Sequence, residues 1–336
     1  MPNIYTKNIV IPATYIKTRL DRYIKTLYPL ITHGTIQKLL REKKIKLNDM
    51  RIDANYRVVV DDILNIRVDL DQYCDNAQDN STKNTIYNNA VKILASKILS
   101  QYLIYEDDDL IAINKPHNLS TQGGVNVHLS IDHAIHYLNL EHQMNLKIIH
   151  RLDKETSGIL LIAKNLISTR AFGELFRENS IYKTYIAVLV GSPQQDEGTI
   201  TSEIGKTRNS QNKFVVSTDA IETKQAISHY KIIAKNNNLS LCIFKPITGR
   251  MHQLRHHANL LGCYILGDDK YWISSAANKH CSSFNMIHNR LMLHAYNIEI
   301  PIINLSVTAP LDDVLEQYIT TAFILKLKNG IFQTSI

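Results

Sequence analysis

The sequence predicts an α+β protein built in two folded parts, and three observations carry that expectation. Short apolar or alternating runs, among them Leu110–Ile113, Ile159–Ala163, Tyr185–Val190 and His229–Ile233, are interspersed with helical stripes without a regular β-α repeat. Residues 71–90, including the run from Asp75 to Thr82, carry almost no apolar side chains and predict a polar linker, because they cannot offset the entropy of ordering. Charge is divided unevenly: residues 1–70 hold 13 basic and 7 acidic side chains, which is +6 of the chain's net +7. A length of 336 residues fits two domains at about 150 residues each. The expected division is therefore residues 1–70, a linker over 71–90, and a larger domain over 91–336.

In the first part, Leu20, Ile24 and Leu27 form an i, i+4, i+7 stripe that predicts a helix over 18–27, limited by Pro29. A second helix is expected from Thr35 as N-cap through Ile36, Leu39 and Leu40, leaving through the basic cluster Arg41, Lys43, Lys44 and Lys46. Ile45 and Leu47 alternate with polar residues, Asn48-Asp49 is a turn, and Val58–Val60 with Leu64, Ile66 and Val68 read as short strands. After the linker, Val91, Leu94, Ala95, Ile98 and Leu99 share one helical stripe, predicting a helix over 91–103 that leads into the second domain.

Composition and missing motifs narrow the function classes. With 44% hydrophobic and 21% charged residues the chain has the make-up of a folded protein rather than a disordered one. No apolar run approaches the roughly 20 residues of a membrane span, and the first twenty residues lack the pattern of a secretory signal, so a cytoplasmic protein is expected. Cys74, Cys242, Cys263 and Cys281 form no C-x-x-C pair and are expected to be reduced. There is no glycine-rich nucleotide loop, no nucleophile-elbow serine and no H-E-x-x-H zinc motif; His252 and His256 have helical spacing but neither a glutamate base nor a third ligand. No metal and no cofactor are expected. The basic first part reads as a handle for a polyanion, most simply nucleic acid, with a solvated charged face as the alternative.

Two stretches concentrate chemistry. His150-Arg151-Leu152-Asp153-Lys154-Glu155-Thr156-Ser157-Gly158 lies between two apolar strands, where a loop can present catalytic side chains or Asp153 can simply cap a turn. Thr248-Gly249-Arg250-Met251-His252-Gln253-Leu254-Arg255 puts two arginines beside a turn and a helix start, where one could fork a carboxylate or phosphate, or lie on the surface.

These stretches resemble the signatures of the RluA-type pseudouridine synthases. His150 to Gly158 match H-R-L-D-x-x-T-S-G, and Thr248 to Arg255 match T-G-R-x-H-Q-[IL]-R. Lys183 to Gly191 resemble an intermediate K-x-Y-x-A-x-V-x-G block, with a valine one place early. Gly262 to Tyr271 resemble the G-x-P-[IL]-x-G-D-x-x-Y segment, with Tyr264 in place of proline, and Asn114-Lys115-Pro116 is a further block. The resemblance covers about residues 105–310. The first part resembles an S4-type RNA-binding domain, with Arg19-Leu20-Asp21 opening its first helix, and the combination resembles the large-subunit ribosomal RNA subgroup. The loop Ser120 to Gly124 resembles one branch of that subgroup, with Asn118 where glycine is usual; asparagine adopts positive φ more readily than most residues.

The resemblance implies a mixed, mainly antiparallel sheet in the second domain and a reaction in which the N-glycosidic bond of a uridine breaks, the base turns, and it rejoins through C5. No redox partner or nucleotide is needed. It implies Asp153 as nucleophile, Arg255 as the cation that keeps it ionised, and Tyr185 as the stacking surface and candidate base for the C5 proton. Leu254 would pack on the uracil ring from the other side, Arg151 would fill the space left by the flipped nucleotide, and His150 and Arg250 complete the substrate-binding set. Arg19, Arg22, Arg41, Lys43 and Lys44 are expected to hold phosphates without reading sequence. The expected partner is large-subunit ribosomal RNA, bound by a monomer; a tRNA-modifying member of the family and a non-catalytic ribosome-assembly factor are the alternatives.

Overall fold

The computed structural model describes residues 6–28, 31–70, 73, 81–123, 127, 129–207, 220–271 and 290–323. It is α+β and divides into two compact units, residues 1–90 with 124–126, and the remainder.

In the first unit, helices α1 (Leu20–Leu27) and α2 (His33–Arg41) accompany a three-stranded antiparallel sheet of β1 (Lys7–Val10), β2 (Ile45–Leu47) and β3 (Ile63–Ile66), in the order β1-β3-β2. Leu20 and Ile24 of α1 are buried with Ile36, Leu39, Ile45, Leu64 and Ile66 in one core. The α2 cap is Thr32, whose Oγ1 accepts the Thr35 N–H at 3.1 Å, so Thr35 lies inside the first turn rather than at the cap. Asn48 and Asp49 do turn the chain, both at positive φ. Val58–Val60 form no strand. The backbone of Val58 is held by Lys17 and Thr18 instead of by the sheet, and Val59 and Val60 face solvent.

Helix α3 (Ser81–Ile98) starts inside the stretch expected as linker. Its C-terminal half buries Val91, Leu94, Ala95 and Ile98. Once that end is docked, each residue added towards the N-terminus closes a hydrogen bond at little further entropic cost, so polar composition alone does not stop the helix.

The second unit is organised on an 11-stranded sheet. Its main path begins with β4 (Leu103–Glu106), β5 (Leu110–Lys115), β7 (Ser157–Ala163), β13 (Leu293–Ile300) and β8 (Tyr182–Val190), and continues through β11 (Leu239–Pro246), β10 (Ala220–Asn236) and β9 (Glu197–Thr207). Short strands β6 (Lys147–Ile148), β12 (Tyr264–Ile265) and β14 (Leu305–Thr308) pair with β7, β8 and β13. The described pairings are antiparallel except β7 with β13, which is parallel.

Strand β7 reads Ser-Gly-Ile-Leu-Leu-Ile-Ala because it is covered on both faces. Leu160 and Ile162 pack on Ala134, Ile135 and Leu138 of α4 (Ile131–Glu141), while Ile159 and Leu161 pack towards Phe172 of α5 (Leu166–Arg177). Each such buried side chain contributes roughly 1.5–3 kcal/mol. Gly158, at φ +108°, lies opposite Ala295 of β13, and a Cβ there would run into the Ala295 carbonyl. Helix α6 (Gln253–Leu260) packs near β9, β10 and β12, and α7 (Asp313–Phe323) buries Leu315, Ile319 and Phe323. Cys242 and Cys263 are buried and free; Cys74 and Cys281 lie outside the described residues. Among the described residues no helix is long and apolar enough to cross a membrane.

Candidate active site

Asp153 stands in the loop that joins β6 to β7, and that loop is pinned from below. The Thr121 hydroxyl donates to the Leu152 carbonyl at 2.7 Å and accepts the Leu152 N–H at 3.2 Å. The ammonium of Lys115, fully buried at the end of β5, donates to the carbonyls of Pro116 (3.0 Å), Leu119 (2.8 Å) and Lys154 (3.3 Å). Three acceptors for three N–H bonds suit the charged form. Burial pulls the Lys115 pKa down to about 7, against the opposing pull of Asp153 and Glu155. Asn118, at φ +64°, makes the turn between these anchors in the left-handed region.

The carboxylate opens into a cavity of about 890 Å3 between this loop, β8, the end of α5 and the start of α6. Tyr185 reaches it from β8, where its backbone pairs with Ala295. Gly158 pairs with Ala295 from the other side, and its missing Cβ lets β7 close on β13, so the Asp153 loop leads into one strand flanking β13 and Tyr185 lies on the other. Burial and then the charge of Asp153 raise the Tyr185 pKa well above the usual phenol value, so its hydroxyl stays protonated. Leu254 is buried in the cluster on which Tyr185 also packs.

Arg255 is 1% exposed and forks Asp268, Nε to Oδ2 at 2.7 Å and Nη2 to Oδ1 at 2.5 Å. This differs from the expected pairing with Asp153. The G-D turn explains it: Gly267 holds φ +79°, where a Cβ would meet the Arg290 carbonyl, and this turn delivers the fully buried Asp268 side chain to the guanidinium. Burial lowers the Arg255 pKa, but Asp268, Glu155 and Asp153 together raise it above its usual value. Nη1 has no hydrogen-bond acceptor; its carboxylate neighbour, Glu155 Oε2, is at 3.6 Å, while Arg255 also lines the cavity.

Three residues around Asp153 were not among the expected site residues, His252 having been weighed only as a metal ligand. His252, at φ +52° as the N-cap of α6, brings Nε2 to 4.0 Å from Asp153 Oδ2 and Nδ1 to 3.1 Å from the Tyr271 hydroxyl. Burial raises the Tyr271 pKa to about 12, which keeps that hydroxyl a donor and favours the tautomer with Nε2–H facing the carboxylate. Glu155 pairs with Lys270 at 3.2 Å. Lys115 was seen only as part of a motif block. The left-handed conformation of His252 was the least legible feature, because no residue type announces it.

The remaining expected residues separate. Arg151 and Arg250 line the cavity and are exposed; Arg250 Nε donates to the Gln225 carbonyl at 3.1 Å. His150 also lines it, but its Nε2 accepts the Leu161 N–H at 2.9 Å and its ring stacks on Phe176. Burial and the nearby Lys183 push its pKa down to about 3, so it is a neutral acceptor that supports β7. In the first unit, Arg19 is forked on buried Asp21 at 3.1 and 2.6 Å, and Lys44 pairs with Glu42 at 2.9 Å. Those two cations have protein partners. Arg22, Arg41 and Lys43 are exposed.

Comparison with known proteins identifies the family. Residues 109–260 match the family model described as RNA pseudouridylate synthase. The chain is 47% identical over 292 residues to the ribosomal large subunit pseudouridine synthase C of Rickettsia prowazekii (strain Madrid E), covering 87% of this chain and 90% of the relative. It is 31% identical to the protein of the same name from Buchnera aphidicola subsp. Baizongia pistaciae, over 89% of this chain and 92% of that one. Among solved structures it is similar to human RNA pseudouridylate synthase domain containing 4, with a TM-score of 0.56 and 27% identity over 68% of this chain and 95% of that chain.

Proposed function

Since the chain belongs to the RNA pseudouridylate synthase family, we propose that it isomerises specific uridines of large-subunit ribosomal RNA to pseudouridine, with Asp153 as nucleophile. The observation that carries the residue assignment is the convergence of Asp153, Tyr185, and the adjacent Leu254 and Arg255 on one cavity from three separate segments of the chain. A uridine must leave the RNA stack to reach a carboxylate held in a loop between strands, which costs a few kcal/mol and is met by an apolar and aromatic wall. Tyr185 and Leu254 supply that wall. Because the Tyr185 hydroxyl stays protonated, its first role is to stack and to donate, and it can accept the C5 proton only as its own is passed on.

A nucleophilic carboxyl works as its anion. In this reading the buried guanidinium of Arg255 and the ammonium of Lys115 supply the positive field, and His252 keeps the carboxylate turned to the cavity. Arg151 enters the space vacated by the base, and Arg250 meets the strand at the rim. His150 acts on the substrate only through the position of β7.

Residues 1–70 act as an S4-like RNA-binding module and 91–336 as the catalytic domain. Arg22, Arg41 and Lys43 supply the phosphate contacts of that module, while Arg19 and Lys44 contribute less because each already has a carboxylate partner. The reading requires no cofactor, and it places a monomer in the cytoplasm.

The deciding experiment is tritium release from C5-labelled uridine in transcribed large-subunit rRNA, comparing the full-length protein with Asp153→Asn. Release by the parent alone supports both reaction and nucleophile. If both proteins bind RNA and neither releases tritium from rRNA or tRNA, the reading gives way to a ribosome-assembly factor; release from tRNA alone moves the substrate.

A further inference from the structure

Part of the wall of the cavity over Asp153 is left unused by the carboxylate chemistry. It consists of Gly173, Phe176 and Arg177 of α5, of Asn179 and of Lys183 near the start of β8. Lys183 and Tyr185 are two positions apart on one strand, so they leave the same face about 6.6 Å from each other along the chain. Arg177 occupies the last turn of α5, where the helix dipole favours a cation, and its Nε donates to the Gly173 carbonyl at 3.2 Å. Arg151 joins them from the Asp153 loop.

The charge balance of the cavity is one-sided. Among the described residues that line it, Asp153 is the one acidic side chain, against Arg151, Arg177, Lys183, Arg250 and Arg255. Lys183 is half-buried, yet among the described residues no carboxylate forms an ion pair with it, and burial alone acts on its pKa, lowering it. The imidazole of His150 beside it is neutral and cannot serve as counter-ion. A cation withdrawn from water without a partner is costly, and the cost is relieved when an anion arrives. Lys183 and Arg177 line the same cavity as Asp153 and Tyr185.

We propose that Lys183 and Arg177, with Arg151 at the rim, form a binding site for an RNA backbone phosphate adjoining the uridine held over Asp153. The inference rests on the RNA-modifying reading above and adds where the strand is gripped beside the flipped nucleotide.

The test is the salt dependence of binding, which is read without turnover. Anisotropy of a labelled single-stranded RNA carrying one uridine is titrated with the full-length protein between about 50 and 200 mM salt, and the slope of log Kobs against log salt is compared with that of Lys183→Gln, Arg177→Gln, their double variant and Lys183→Arg. For single strands each lost phosphate contact lowers the slope by about 0.7. Because the two cations share one phosphate, the double variant Lys183→Gln/Arg177→Gln is expected to lose about 0.7 and to bind roughly tenfold more weakly, a change of about 1.4 kcal/mol, and each single glutamine variant to lose part of both. Lys183→Arg keeps both values. Contacts made by the first unit are present in every variant and cancel in the comparison. An unchanged slope in the glutamine variants overturns the site. Arg177 is exposed, so its variant carries the test even if Lys183→Gln does not fold. Absence of tritium release by the parent protein would instead defeat the isomerase reading and leave the phosphate site standing on its own slopes.

Discussion

Arg255 is forked on Asp268, with both side chains essentially inaccessible to solvent, and it meets the cavity beside Asp153 through the same guanidinium. The arginine therefore joins the fold of the α6 region to the field at the nucleophile. Arg255→Ala should do two things at once. It strands a buried Asp268 carboxylate, which costs about 3–5 kcal/mol, and it removes turnover. Thermal unfolding together with tritium release separates the effects: a variant that melts like the parent and turns over normally would remove Arg255 from both roles. Arg255→Lys keeps the charge but loses the two-pronged geometry, and should recover part of the stability and little of the rate.

Tyr185→Phe should retain RNA binding, because the ring still stacks, and should slow C5 proton loss by roughly 10²–10⁴-fold if the hydroxyl moves that proton. The phenol is held protonated by burial and by Asp153, so the parent rate should show no alkaline limb from Tyr185 in the ordinary working range. A Tyr185→Phe rate equal to the parent's discards the proton-transfer role and leaves the stacking role.

Lys115→Met replaces the ammonium under the Asp153 loop by an apolar chain of similar length and leaves the carbonyls of Pro116, Leu119 and Lys154 without their donor. A buried unsatisfied acceptor costs about 1–3 kcal/mol, and one of the three, at Lys154, lies in the loop that carries Asp153. The expected result is a lower unfolding midpoint and a reduced kcat, with RNA affinity little changed. An unaltered midpoint would show that the loop holds its shape through Thr121 alone.

Acid should destabilise this protein through histidines that are buried neutral. Burial lowers the pKa of His150 to about 3, and of His257 and His294 to about 4, from an ordinary 6.5. A base whose folded pKa is depressed binds fewer protons folded than unfolded, so stability rises with pH across that interval. The contribution is full above about pH 6.5 and is lost progressively as pH falls to about 3–4. His294 is the clearest probe, since its Nδ1 accepts from Ser157 Oγ at 2.9 Å within the β7–β13 pairing. Unfolding midpoints measured from pH 7 to pH 4 should fall less steeply in His294→Gln than in the parent; equal slopes would remove His294 from the effect.

Much of the fold was legible wherever one residue pattern served one packing need. The apolar run of β7 announced a strand covered on both faces, and the Leu20–Ile24 stripe announced the buried side of α1. The two motif stretches, 150–158 and 248–255, stood out because polar and charged residues there interrupt apolar strand and helix patterns, and residues of both line one cavity. The extent of α3 was not, since a polar sequence remains helical when its far end is docked. Nor was the status of Arg19 and Lys44, whose charges look free in sequence and are paired in the structure.

By itself, the sequence determined the α+β class and the basic character of the first seventy residues, and it marked the Asp153 loop and the arginine-bearing turn near residue 250 as polar breaks in apolar patterns. These depend on local spacing and composition. Only the tertiary structure decided which carboxylate Arg255 forks, that Lys115 anchors the Asp153 loop, that His252 turns left-handed towards Asp153, and that Lys183 lines the cavity with no ion-pair partner among the described residues. The first two are pairings across the chain: Arg255 and Asp268 are 13 residues apart, and Lys115 and Lys154 are 39. Which of several equally charged partners meets in a buried place depends on how strands and turns close in space, and a pattern along one strand or helix contains no term for that distance.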